Sequence, residues 1–189
     1  LSGLRPHQIA NKGMVRTFQL TKSLAKMTVI DNMLLGAAEQ KGESLRNALL
    51  PSRWQKQEKE ILEKAEDLLE RFKLSHMRDE YAATLSGGQR KLLEMARALM
   101  SEPKLILLDE PMAGVNPVLV ESLLVHIENL RDEGVSVLFI EHDMDAIMGI
   151  SDWIVVLAEG QVIAEGTPSD VSKNPAVIDA YLGSAIAEE

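Results

Sequence analysis

Three short stretches of this chain bring together residue types that handle phosphate and water. In Leu85-Ser86-Gly87-Gly88-Gln89, a capping residue, two glycines and a glutamine stand directly before an apolar-periodic run. That run predicts a helix with Leu92, Leu93, Ala96, Leu99 and Met100 on one face. Glycines without Cβ let an anion approach the backbone, and the first N–H groups of a helix have no internal acceptor. With the helix dipole they make a ready phosphate site. The same residues read equally as an ordinary serine N-cap and glycine turn before a core helix.

The second stretch is Leu105-Ile106-Leu107-Leu108 followed by Asp109-Glu110-Pro111. Two carboxylates at the carboxyl end of a buried strand sit where open α/β sheets bind ligands. The alternative is a polar strand end in which Asp109 caps a turn. The third stretch ends in the same manner: Val135 to Ile140 reads as a strand and runs into Glu141-His142-Asp143. If the two strands are parallel, His142 and the Asp109–Glu110 pair share one edge of the sheet. Two polar strand ends plus an anion-accepting helix start favour a site over three unrelated structural details.

The elements that must position these residues fall into three zones. In the first, Pro6 to Asn11 predicts a short helix and Met14 to Phe18 a short strand. Between Thr21 and Met100 the chain reads as mainly helical, with Val29 to Glu39 one helix and Arg53 to Phe72 a stronger one. In the latter, Ile61, Ala65, Leu68, Leu69 and Phe72 share a face, and lysines and glutamates form a solvated opposite face. Leu74 to Thr84 is a connector into the glycine pair. In the third zone Lys104 to Leu108 is a buried strand, Pro117 to Arg131 a helix, Val135 to Ile140 a strand and Met144 to Ile150 a helix. Trp153 to Leu157 and Gln161 to Glu165 form a hairpin turning through Glu159-Gly160, and Val177 to Leu182 is a final short helix. Strands separated by helices predict parallel crossovers and an α/β sheet covered on both faces.

The 189 residues, 46% of them hydrophobic, are enough for one sizeable core with a subdomain. A formal net charge of -9 with no basic stripe argues against a nucleic-acid partner held through backbone phosphates. It also means that a nucleotide must be drawn by local donors against the overall field. Without cysteine there are no disulfides or thiolate metal sites. No apolar stretch approaches the length of a membrane span, so any membrane connection is expected through a partner protein.

Taken in order, these motifs resemble those of the nucleotide-binding subunits of ABC transporters. Leu85-Ser86-Gly87-Gly88-Gln89 matches the family's signature, and Leu105 to Glu110 matches a Walker B strand followed by its catalytic glutamate. His142 fits the switch histidine, Gln19 in Arg16-Thr17-Phe18-Gln19 fits the Q-loop, and Ala113-Gly114-Val115-Asn116 fits the D-loop. Pro6-His7-Gln8-Ile9-Ala10, Gly13 to Gln19, Ala113 to Pro117 and Ala176 to Gly183 are similar to importer ATPases for branched-chain amino acids. Related ATPases for urea or short amides share much of this pattern.

The resemblance implies an α/β, P-loop NTPase core, incomplete here, with a helical subdomain that carries the signature. It divides the chain into residues 1–19, ending the N-terminal core segment with the Q-loop, a helical subdomain over 20–100, and an α/β core over 101–189. It implies ATP and Mg²⁺, and a head-to-tail dimer enclosing two ATP molecules with a second ABC ATPase subunit, identical or related. Leu85, Ser86, Gly87, Gly88 and Gln89 would meet nucleotide on the partner. Asp109 and Gln19 would attend Mg²⁺, Glu110 would polarise the attacking water, and His142 would contact the γ-phosphate. Permease subunits would hold the protein at the cytoplasmic face of the membrane, with a solute-binding protein acting from the other side.

Two features depart from the family pattern. No Gly-x-x-x-x-Gly-Lys-Ser/Thr occurs among these residues, and that P-loop would supply the phosphate cradle, its lysine and a hydroxyl on Mg²⁺. In the family it precedes the Q-loop, and Leu1 is not a natural start. The expectation is therefore that the P-loop lies upstream and that these residues alone lack turnover. Asn116 stands where many ABC proteins carry aspartate, and Asn116-Pro117 reads also as N-cap and first helical position. Two other classes compete with the transporter reading. One is a shortened, non-catalytic ABC paralogue that lends its signature to a partner. The other is a DNA-associated ABC ATPase, against which the acidic charge and the short helical insert both argue.

Overall fold

A computed structural model describes residues 3–17, 24–43 and 51–182. The chain divides into two compact units, Leu1–Ile140 and Glu141–Glu189.

The first unit is built on a three-stranded parallel sheet of order β1-β2-β3, where β1 is Met14–Arg16, β2 Leu105–Asp109 and β3 Ser136–Ile140. Register pairs Met14 with Leu105 on one side of β2 and Asp109 with Ile140 on the other. The expected parallel crossover between the two polar-ended strands is therefore present. Strand β2 buries Ile106 and Leu108 on one face, at 0% and 2% exposure. The opposite face departs from expectation at β3: Leu138 and Ile140 are 53% and 60% exposed, so the described residues do not cover it there. Alternation along β3, with Val137 and Phe139 half-buried between exposed neighbours, is the pattern of a one-sided sheet.

This unit has five described α-helices. They are α1 (Pro6–Ala10), α2 (Val29–Leu34), α3 (Gln55–Arg71), α4 (Gly87–Leu99) and α5 (Pro117–Asp132). Helix α4 buries Leu92, Leu93, Met95, Ala96 and Leu99. Each such leucine or methionine contributes roughly 1.5–3 kcal/mol on burial. That is what stabilises a helix of this length, marginal in isolation. Helix α3 turns Ala65 and Leu69 inward, continued by Phe72 just beyond its end.

Helix α2 is shorter than the periodicity suggests, ending at Leu34 instead of Glu39. Gly36 stands just past that end. A Cβ there would lie 2.3 Å from the Arg97 carbonyl oxygen, so the end of α2 abuts α4 backbone to backbone. On α2, Asn32 is fully buried yet satisfied. Its side chain accepts from Leu24 N (2.9 Å) and donates to the Thr28 and Leu24 carbonyls (2.8 and 3.2 Å). Strand β1 covers three residues of the expected five; Phe18 lies outside the described residues. The connector from Leu74 to Thr84 contains two short 3₁₀ turns, Ser75–Met77 and Ala82–Thr84.

The second unit contains α6 (Met144–Ile150), an antiparallel hairpin of β4 (Ile154–Ala158) and β5 (Gln161–Gly166), and two short helices, α7 (Pro168–Val171) and α8 (Pro175–Val177). Glu159 and Gly160 turn the hairpin with φ of 50° and 77°, the mirror-image turn that matches strand twist. Its core gathers Ile154, Val156, Ala164, Val171 and Val177. The final helix expected over Val177 to Leu182 is instead α8 followed by a π-helical turn, Ile178–Leu182. Pro175 and the Asn174 cap start the helix two residues earlier than apolar spacing alone suggests.

Candidate functional site

The signature residues form the first turn of α4, and both readings of them are realised in part. Ser86 is the N-cap: its Oγ accepts from Gln89 N (3.2 Å), and Gln89 Oε1 accepts from Ser86 N (2.9 Å). This is a reciprocal capping box, so the Ser86 and Gln89 side chains serve their own helix. The Gly87 and Gly88 N–H groups, at the first two helical positions, are left without an acceptor inside the helix.

The two glycines differ. A Cβ on exposed Gly87 would meet nothing within 4 Å, whereas one on buried Gly88 would lie 2.5 Å from Leu119 Cδ1 and 3.4 Å from Val115 Cγ1. Gly87 leaves room for a ligand; Gly88 admits the start of α5. Leu85, just before them, is buried and anchors the turn.

Asp109 is the last residue of β2, one position further than the sequence suggests. Its side chain is 25% exposed, and Oδ2 lies 2.9 Å from an Arg16 guanidinium nitrogen at the end of β1. Glu110 follows in a turn with φ of 45°, which side-chain-bearing residues rarely adopt. Its N–H donates to the Ile140 carbonyl (2.9 Å), and its carbonyl accepts from Ala113 N (3.2 Å). The chain then passes through Gly114, φ 69°, and Val115 to Asn116. Asn116 Oδ1 accepts from Leu119 N (2.9 Å) and Pro117 takes the first helical position, so the capping role of this pair is realised.

One residue that the sequence analysis passed over ties these parts together. Lys91 Nζ, on α4, donates to the carbonyls of Glu110 (2.9 Å) and Ala113 (2.6 Å). A small cavity beside it is lined by Thr17, Glu94, Asp109, Pro111 and Leu123. The signature helix, the strand-end carboxylates and the turn to Asn116 are thus one connected assembly within the first unit.

His142 is the second residue of the second unit. Its ring is 75% exposed, with Nδ1 3.8 Å from Glu141 Oε2. Asp143 next to it caps α6 by accepting from Ala146 N (3.1 Å). Gln19, the expected Q-loop residue, lies outside the described residues.

Residues 3–113, more than half of the chain, match the family model described as ABC transporter. The chain belongs to the ABC transporter ATPase family. Residues 161–187 further match a model described as branched-chain amino acid ATP-binding cassette transporter. A probable branched-chain amino acid transport ATP-binding protein LivG of Archaeoglobus fulgidus is 49% identical over 183 residues, covering 97% of this chain and 70% of that protein. A high-affinity branched-chain amino acid transport ATP-binding protein, BraF of Pseudomonas aeruginosa, is 41% identical, covering 98% and 73%. Among solved structures, the ADP conformation of an ATP-binding cassette of an ABC transporter aligns with a TM-score of 0.76 at 42% identity, over 95% of this chain and 72% of that one.

Membership of this ABC family makes the chain a nucleotide-binding protein built on an α/β core. A divalent cation also suits what is present. Asp109 already accommodates a cationic group, the Arg16 guanidinium. Among the described residues no cluster of three or more histidine, aspartate or glutamate side chains forms a cage. A lone carboxylate suits Mg²⁺, which keeps several waters and takes one or two protein carboxylates beside substrate phosphates. Among the described residues no helix is long and apolar enough to cross a membrane.

Proposed function

We propose that this chain is the ATP-hydrolysing subunit of an importer for branched-chain or related neutral amino acids, held at the cytoplasmic face of the membrane by permease subunits. The observation that carries the catalytic reading is the joint placement of Asp109 and Glu110 at the carboxyl end of β2, with the signature helix bonded to the same turn. The solute class is supported by the match over residues 161–187 and by the names of the relatives. A solute-binding protein would select the cargo on the far side.

Two subunits, identical or related, would close head to tail around two ATP molecules. Each ATP is held by the P-loop and Walker B strand of one subunit, the P-loop being the element these 189 residues do not contain. The other subunit presents Ser86, Gly87 and Gly88. The free N–H groups and dipole of α4 stabilise the γ-phosphate, and the space over Gly87 lets its oxygens come close. Leu85 and Gln89 fix that turn, by burial and by the capping box.

Asp109 would hold Mg²⁺, with Gln19 attending it, and the ion when bound would supply positive charge against the phosphates. Arg16 gives up Asp109 for this to happen. Glu110 draws the proton from the attacking water, a role worth roughly 10²–10⁴ in rate. His142, whose ring is exposed, would contact the γ-phosphate. Ala113, Gly114, Val115 and Asn116 present the turn that follows to the partner, and the helical zone over 20–100 carries closure to the permease.

The test is Glu110→Gln in the full-length subunit with its P-loop. Steady-state hydrolysis should fall by about two orders of magnitude or more, with ATP binding retained and the ATP-bound dimer longer lived. Hydrolysis at the unmodified rate would remove Glu110 from its role.

A further inference from the structure

Lys91 stands three residues after Gly88, on the face of α4 that meets residues 110–119. It is half-buried, and its ammonium donates to the Glu110 and Ala113 carbonyls at 2.9 and 2.6 Å. A lysine at such a helix position ordinarily extends into water, where its charge is best solvated. Here it is spent on two backbone oxygens, and bonds from a charged donor are about twice as strong as neutral ones.

Those oxygens bracket the turn that carries Glu110. Ala113 N closes the turn on the Glu110 carbonyl, and Glu110 N ties it to β3 through Ile140. Glu110 itself has φ of 45°. A side-chain-bearing residue persists in that conformation only where its surroundings over-determine it, and Lys91 supplies two of the constraints. One turn earlier on the same helix face, Gly88 closes against Val115 and Leu119. The helix thus grips the segment at both ends, at Glu110–Ala113 and at Val115–Leu119.

We propose that Lys91 is a positioning residue that makes the signature helix and the Glu110 turn one body, so that nucleotide engaged by Ser86–Gly88 on a partner subunit sets the Glu110 of the same chain. The inference rests on the composite-site reading above. It gives the two sites of a dimer a direct mechanical link. The half-site a subunit lends and the half-site it uses itself are joined through one ammonium group. Lys91 acts through the backbone of Glu110.

The test compares Lys91→Met, which keeps the stem and removes the donors, with Lys91→Arg, which restores them. In the Met variant, amide exchange at Ala113 and Val115 should quicken by about tenfold, the loss expected for a charge-assisted bond, with the amides of residues 92–99 unchanged. In the full-length subunit the Met variant should lower kcat by about tenfold while its half-saturating ATP moves by less than about twofold. The Arg variant should recover both readouts. Unchanged exchange and kcat in the Met variant would overturn the proposal. So would exchange that quickens throughout α4, or an Arg variant as impaired as Met, since either denotes a packing role alone. If Lys91→Met does not fold, Lys91→Gln carries the same exchange comparison with a neutral amide donor in place of the charge. Glu110→Gln is assayed alongside: if ATP does not join its subunits, the composite-site reading fails, and the exchange result still decides whether Lys91 holds the turn.

Discussion

Replacing His126 by leucine should remove an acid sensitivity built into the first unit. His126 lies on α5, 6% exposed, with neither ring nitrogen hydrogen-bonded. Its ring stacks on Phe72 at 4.2 Å between centroids and 25° between planes. Burial, followed by the charges of Arg71 and Lys73, holds the imidazole below its ordinary value of 6.5. Arg71 is itself paired with Glu133 at 3.0 Å.

The sign follows from linkage. Below pH 6.5 the unfolded chain takes up a proton on this residue and the folded chain does not. Stability is therefore complete above 6.5 and is lost as pH falls from there to the depressed folded value. Across that window the slope approaches about 1.4 kcal/mol per pH unit. For a chain of this size each kcal/mol is worth about 2–4 °C in Tm. Urea titrations followed by circular dichroism at pH 7.5 and 5.5, at constant ionic strength, should show the native protein losing more stability than His126→Leu over the same interval. The comparison of intervals cancels any packing difference between imidazole and leucine at neutral pH. Equal losses in the two proteins would refute the reasoning.

Two further outcomes follow from the site. Gly88→Ala should destabilise by about 1–3 kcal/mol through overpacking on Leu119, while Gly87→Ala leaves the denaturation midpoint nearly unchanged yet lowers ATPase activity; chemical denaturation of both variants separates packing from ligand access. Arg16→Ala should free Asp109 and lower the Mg²⁺ concentration needed for half-maximal nucleotide binding, read by titration calorimetry, and an unchanged Mg²⁺ dependence would show that the 2.9 Å pair does not compete with the ion.

Local signals in the sequence were reliable wherever a single element decided the outcome. Ser86 and Asn116 each cap the helix they precede, and Glu159-Gly160 turns the hairpin, because these features depend on a few neighbouring residues. The parallel pairing of β2 with β3 followed from the helix between them. Contacts made at a distance were not legible. Nothing in Gly36 announces the Arg97 carbonyl it packs against, and nothing separates Gly87 from Gly88 until Leu119 is in place. Lys91 reads as one more charged residue on a helix, since a backbone carbonyl as partner leaves no complementary side chain to notice. His126, on an apolar-periodic helix, shows no sign of its stack on Phe72. The uncovered sheet face escaped prediction for a related reason: Leu138 and Ile140 are apolar, and hydropathy cannot say which apolar residues find a cover.

The backbone of Glu110 has a consequence for how this protein would respond to selection. A left-handed conformation at a residue bearing a side chain costs about 1 kcal/mol or more, and glycine occupies it without that penalty. A screen that rewards thermal resilience alone would drift toward glycine at position 110 and carry the chain away from hydrolysis while improving its fold. A screen that rewards turnover would hold glutamate there against the gradient. Position 110 is where the two pressures separate, and its occupant records which one has governed the lineage.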